Sequence, residues 1–239
     1  HAIVNRVWSS FMGRGVVDPV DDFRASNPPT NPALLDWLAA DFVQHGYDLK
    51  HLMRTIMRSQ IYRLSSLPNE TNAADLKNYS RSYRRRLPAE TLLDAVCAVT
   101  EVKETFTGLP PDALAKQTWN HKLESQFMDA FGRPNSSAEC PCERDAKPSV
   151  VQALHLMNSN KLQDMLVSAK GRASRLAKSD AKPEQIIEEL YLACFARLPE
   201  AEEQKLALSA FTAKDSTRQT AVEDILWSLL NSAEFVFNH

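Results

Sequence analysis

The chain has 239 residues, 44% of them apolar, which is enough to bury a substantial core. Its formal charge of −2 gives no bulk attraction for nucleic acid or an anionic membrane. No uncharged apolar run is long enough to span a bilayer, and the opening His1-Ala-Ile-Val-Asn-Arg is amphipathic rather than a signal peptide. The expectation is a soluble piece of a larger protein, with no membrane insertion and no nucleic-acid partner.

Only 6 Gly stand against 13 Pro, and most prolines fall where a helix would begin. After the amphipathic opening comes a long acidic loop, 13–31, with Asp18, Asp21 and Asp22. Asn31 and Pro32 then read as a cap and first turn, and Gly46 as a left-handed stop after His45. Leu34, Leu35, Leu38, Phe42 and Val43 form the apolar stripe between them. Asp48 caps the next helix, which carries Leu49, Leu52, Met53, Ile56 and Met57 to about Ile61. Pro88 opens a helix whose core face is Leu92, Leu93, Val96 and Val99.

A second long loop, 102–118, precedes a helical pattern over 120–131 that stops at Gly132. A third loop covers 132–148. Ser149 and Gln152 make a capping box for a helix that breaks at Asn158-Ser159-Asn160 and resumes to about Val167. The last third reads as helices at about 184–197, 200–213 and 217–231, with Trp227, Leu229 and Leu230 on the final one and Phe235 and Phe237 packing beyond it. Hairpin turns and two-residue alternation are missing. The sequence therefore predicts an all-α, irregular multi-helix domain with long ordered loops and a C-terminal three-helix unit. The Ala/Lys/Ser-rich stretch 169–182 divides it into 1–168 and 169–239, packed together as one domain, although 171–178 can equally form a short helix.

Long loops on a helical scaffold are where a site would be carried. In Cys140-Pro141-Cys142 the two thiols are one residue apart, which is not the spacing of a zinc knuckle, and no second ligand pair follows. Free thiols in a tight turn, a reducible disulfide, and a metal clip completed by His155, His121 or Glu143 all remain open. Arg133, Glu143 and Arg144 cluster around this segment by sequence. Together with His155 they define the candidate functional loop: Arg133, Cys140, Cys142, Glu143, Arg144, His155.

The basic run 77–86 is followed by Glu90 and Asp94 at i, i+4. A structural network of Arg85, Arg86, Glu90 and Asp94 is expected, rather than a phosphate site. Lys50, Arg54 and Arg58 form a second basic stripe, for which Asp18, Asp21 and Asp22 are the candidate cover. Those aspartates lack the spacing of a calcium loop. His45, His51 and His155 read singly as surface or satisfied core residues. No metal set is assigned. Nucleophile-elbow, phosphate-loop and zincin motifs do not occur.

Several ordered segments also carry a family resemblance: VNRVWSSFMGRGVV (4–17), DDF (21–23), NPALLDWLA (31–39), GYDLKHLMRTIMRSQIYR (46–63) and RRLPAE (85–90). They continue with FGRP (131–134), CPCER (140–144), QALHLMN (152–158) and LWSLLNSAEFVFNH (226–239). The chain resembles the planctomycete-specific C-terminal domain of unknown function found in large exported proteins that often carry a planctomycete cytochrome-c-type domain. Pro141, where relatives often have an acid, and Tyr47, where tryptophan is frequent, are slight departures.

The resemblance implies an extracytoplasmic parent protein, periplasmic or at the cell surface. It also implies a start inside that parent and an end at its natural C-terminus. It places no cofactor in this chain, and any haem in a separate upstream domain. It brings no catalytic residues. The leading expectation is a helical interaction or scaffold module that docks onto other domains of the parent or onto an exported partner. The alternative is part of an extracytoplasmic enzyme acting on carbohydrate or in haem-linked redox chemistry, with the Cys140–Cys142 loop at its site.

Overall fold

Helix starts in this protein are set by side-chain caps and prolines, as the sequence suggests. In the computed structural model, which describes residues 1–118, 123–133 and 159–238, α2 (Pro32–Gln44) begins where Asn31 accepts the Leu34 amide at 3.1 Å. The next helix, α3 (Leu49–Arg58), begins where Asp48 accepts the amides of Lys50 and His51 at 2.8 and 3.2 Å. Eleven α-helices, two 3-10 turns and one pairing of two-residue strands make up the regular structure of the described residues. The fold is all-α.

The chain divides into two compact units, 1–85 and 86–238. In the first, α1 (Ala2–Met12) buries Val4, Val7, Trp8 and Met12 and ends at Gly13, whose φ is +79°. Each of α1, α2 and α3 touches the other two. Their shared core takes Val16 and Val17 from the acidic loop, Leu35, Leu38 and Phe42 from α2, Leu52 and Ile56 from α3, and Tyr79. The Trp8 and Tyr79 rings meet edge to face at 5.4 Å.

Two expectations for this unit need correction. Val43 is 53% exposed, because the buried residues of α2 are Leu35, Leu38 and Phe42 and position 43 lies about 100° around the helix from Phe42. Leu49 and Met57 are also exposed, since Leu52 and Ile56 alone are fully buried on α3.

In the second unit, Arg86 belongs to strand β1 (Arg85–Arg86), which pairs with β2 (Phe237–Asn238). The central element is α4 (Ala89–Thr100), which buries Ala89, Leu92, Leu93, Val96 and Val99. Burying leucines such as Leu92 and Leu93 is worth about 1.5–3 kcal/mol per side chain. Around α4 lie α5 (Gln126–Ala130), α6 (Asn160–Leu166), α7 (Arg172–Lys178) and α8 (Pro183–Phe195). Helix α9 (Ala201–Thr212) buries no residue fully and leans on α8 and on α10 (Arg218–Leu230) through Ala207, Leu208 and Phe211. The last helix is α11 (Ala233–Val236), with Phe235 and Val236 in the core.

The stretch 169–182 lies inside this unit, where α7 packs on α10 through Ala173, Ser174 and Leu176. Arg218 of α10 caps the end of α7 and the turn after it. It donates to the carbonyls of Ala177 (2.9 Å), Ser179 (3.0 Å) and Ala181. No described helix is long and apolar enough to cross a membrane.

Candidate functional site

The turn between α2 and α3 concentrates chemistry that reading one residue at a time does not reveal. Helix α2 closes with the His45 amide donating to the Asp41 carbonyl at 3.0 Å. Gly46 and Tyr47 follow, both at φ +64°, and reverse the chain within two residues. That tight reversal sets the first turn of α3 beside the last turn of α2. Asp48 holds it there, and its carboxyl is depressed by the His51 amide, then by the Lys50 amide and the charge of Arg54.

Asp41 and His45 are one turn apart on α2, so they share a face. His51 comes to the same point from α3. Its Nε2 lies 2.9 Å from Asp41 Oδ2, and His45 Nδ1 lies 3.3 Å from Asp41 Oδ1. The two imidazoles stack with centroids 3.6 Å apart and planes 15° from parallel. His45 Nδ1 also meets the Asp41 carbonyl at 2.8 Å, and the Thr55 hydroxyl stands 3.4 Å from His51 Nε2. Both Asp41 and His51 are half-buried and His45 is exposed.

Beside this cluster the surface is basic and apolar. Lys50, Arg54 and Arg58 are all exposed and lie along α3 at i, i+4 and i+8, and none has an ion-pair partner among the described residues. Met57, 40% exposed, borders that stripe, one turn on from Arg54. Tyr47 is 65% exposed, with its ring edge against Phe42 at 5.5 Å. Val43 and Leu49 flank it.

The acidic loop does not cover this stripe. Asp21 takes the Arg6 guanidinium at 2.8 and 2.9 Å, Asp22 takes Arg24 at 2.6 Å on both oxygens, and Asp18 meets Arg14 at 3.2 Å. Arginines on α1 and within the loop itself lie closer to these carboxylates than α3 does. A planar guanidinium also binds both carboxylate oxygens at once.

In the expected network of Arg85, Arg86, Glu90 and Asp94, two members take backbone partners. Arg85 donates to the Ser10 carbonyl, and the Arg86 guanidinium lies over the Phe131 ring at 5.6 Å. Asp94 accepts the amides of Ala115 and Lys116 at 2.6 and 3.1 Å, and so fixes the 3-10 turn Ala115–Gln117. The free amides at that turn's start are well-placed donors for a carboxylate one helix away. Glu90 occupies the first turn of α4.

Of the candidate loop, only Arg133 is among the described residues. Its side chain is 7% exposed, and its Nε donates to Asp129 at 2.6 Å. Cys140, Cys142, Glu143, Arg144 and His155 lie outside the described residues, as does His121. Cys97 and Cys194 are free, and burial pushes their thiols up to about 11 and about 12. They are poor nucleophiles. A concavity of about 320 Å³ lies in the 102–118 loop, lined by Thr105, Phe106, Thr107, Leu123 and Glu124. It is at the small end for a ligand pocket and presents one carboxylate.

The residues missed by sequence reasoning are Asp41, His45 and His51 as a group. The available signal was Asp41–His45 at i, i+4 with a second histidine six residues on, across a tight turn. No curated protein and no solved structure shows detectable similarity to the chain. A family model does match, over residues 1–211, and its description is PSD1, protein of unknown function (DUF1553). With most of its length covered by that model, and an all-α fold carrying its clearest surface chemistry at the α2–α3 turn, the chain belongs to the PSD1 family.

Proposed function

We propose that the chain is a helical interaction module of a larger exported protein, docking a partner on the exposed face of α3. The observation that carries this reading is the basic stripe of Lys50, Arg54 and Arg58, bordered by Met57 and left without ion-pair partners among the described residues. Three like charges along one helix face repel one another, so the stripe costs stability in isolation and recovers it against acidic groups. Met57, Leu49, Val43 and Tyr47 add apolar surface beside the charge. The partner chemistry that fits is an acidic segment bearing one or two apolar side chains. It would be supplied by another domain of the same polypeptide or by a second exported protein, a setting supported by the family resemblance.

The test is selection of peptides from a random display library on the intact chain, followed by affinity measurement at two salt concentrations. The expected peptides carry Asp or Glu around an aromatic or aliphatic residue and bind less tightly as salt rises. Reversing the stripe (Lys50→Glu, Arg54→Glu, Arg58→Glu) weakens them about tenfold or more, since exposed pairs contribute about 0.2–1 kcal/mol each. Peptides that bind the reversed chain equally well would sink the proposal.

A further inference from the structure

We propose that Asp41, His45 and His51 form a binding site for one divalent transition-metal ion of the zinc class. Their donor atoms, one from each side chain, all lie within 4.8 Å of one another. A zinc ion holds nitrogen and oxygen ligands at about 2.0–2.2 Å, so the edges of a tetrahedral ligand set are about 3.3 Å long. The Asp41 carboxylate faces both imidazoles at about that spacing, through different oxygens: Oδ1 lies 3.3 Å from His45 Nδ1 and Oδ2 lies 2.9 Å from His51 Nε2. Ligand type agrees with the geometry. Two imidazoles and one carboxylate suit zinc, copper, nickel or iron, and not the hard cations that demand an oxygen cage.

The backbone fixes two of the three positions firmly. Asp41 lies in the last turn of α2 and His45 caps its end four residues on, and the His51 amide is held by the Asp48 cap. What must change on binding is small. Stacked imidazoles point their nitrogens nearly parallel, so the rings splay about the Cβ–Cγ bond, a broad torsion in histidine. His45 Nδ1, which faces the Asp41 carbonyl, must give up that contact, with the ring taking the tautomer protonated at Nε2 so that Nδ1 is free for the ion. With His45 exposed, the fourth position opens to solvent and is filled by water or by a donor from a partner. This site stands whether or not the α3 stripe docks anything, since it uses none of the stripe's residues.

The experiment is zinc titration of the chelator-treated chain by calorimetry, with nitrogen-15 spectra of the imidazoles. One ion per chain is expected, with no heat from magnesium or calcium, and with zinc shifting Nδ1 of His45 and Nε2 of His51. His45→Gln and His51→Gln each weaken binding at least tenfold, whereas His1→Gln, at the separate His1–Asp36 pair, leaves it intact. His45 is exposed, so its variant keeps the fold and the test remains decisive. No zinc heat, or affinity unchanged in both the His45 and His51 variants, overturns the proposal.

Discussion

Asn5 and Val17 satisfy both of each other's polar groups. The fully buried Asn5 side chain donates to the Val17 carbonyl at 2.8 Å and accepts the Val17 amide at 3.0 Å, while a further bond reaches the Val20 carbonyl at 2.8 Å. One amide side chain on α1 thus does for the acidic loop what a strand pairing would do. The loop's backbone polar groups enter the core already paired.

Replacing Asn5 by leucine keeps the branched shape and removes all three bonds. The buried amide and carbonyls that remain are left without partners, so the variant loses about 3 kcal/mol or more. Urea unfolding checks this through a lower midpoint at unchanged slope. An Asn5→Asp change retains the acceptor for the Val17 amide and loses the two donations, so it too is destabilised.

Gly13 and Gly46 both have positive φ, at +79° and +64°, but their surroundings differ. A Cβ on Gly46 meets nothing within 4 Å, so Gly46→Ala costs about 1 kcal/mol, from backbone strain alone. A Cβ on Gly13 would stand 2.4 Å from Arg85 Cδ and 2.7 Å from its Cγ, which forces Arg85 off the Ser10 carbonyl. Gly13→Ala is therefore the more damaging change. In thermal unfolding, the Gly13→Ala and Arg85→Ala pair is less than additive, because the second substitution removes the obstacle met by the first.

Arg197 is clamped between Glu203 and Glu234 at 2.7–2.8 Å, over the rings of Tyr191 and Phe195. The guanidinium holds the Glu203 carboxyl at about 2, against an ordinary value near 4.5. The folded value lies below the unfolded one, so this group's stabilisation is complete above about 4.5 and fades as pH falls through about 2. In Arg197→Met the acid limb of stability against pH is shallower across that window. At neutral pH the variant loses about 1 kcal/mol, since the cluster is partly exposed to solvent. Because Glu203 also takes the Glu200 amide at the start of α9, amide exchange in that helix speeds up first.

The features legible in the sequence were those written in neighbouring residues. Asn31 with Pro32, Asp48 before α3 and the prolines at the starts of α4 and α8 each satisfy or remove amides within a turn of themselves, so local reading suffices. The Asp41–His45–His51 group was not legible, since it depends on the angle at which two helices leave Gly46 and Tyr47. Likewise Asp94 finds its amide partners 21 and 22 residues away, a distance that charge patterning along one helix does not encode. The Ala/Lys/Ser stretch 169–182 has the composition of a linker. Small residues serve another end there, letting α7 approach α10 closely, with Gly171 under the Thr100 carbonyl.

Shielding at Cys97 and Cys194 turns the native chain into a counter for its other two thiols. Burial raises the Cys97 and Cys194 thiols to about 11 and about 12, so at pH 8 each takes up an alkylating reagent more slowly than an ordinary thiol. Rapid label on the folded protein is then the part to assign to Cys140 or Cys142, and slow label the part to assign to Cys97 or Cys194. A mass spectrum before and after mild reduction then reads the oxidation state of that single tripeptide, with no mutant needed.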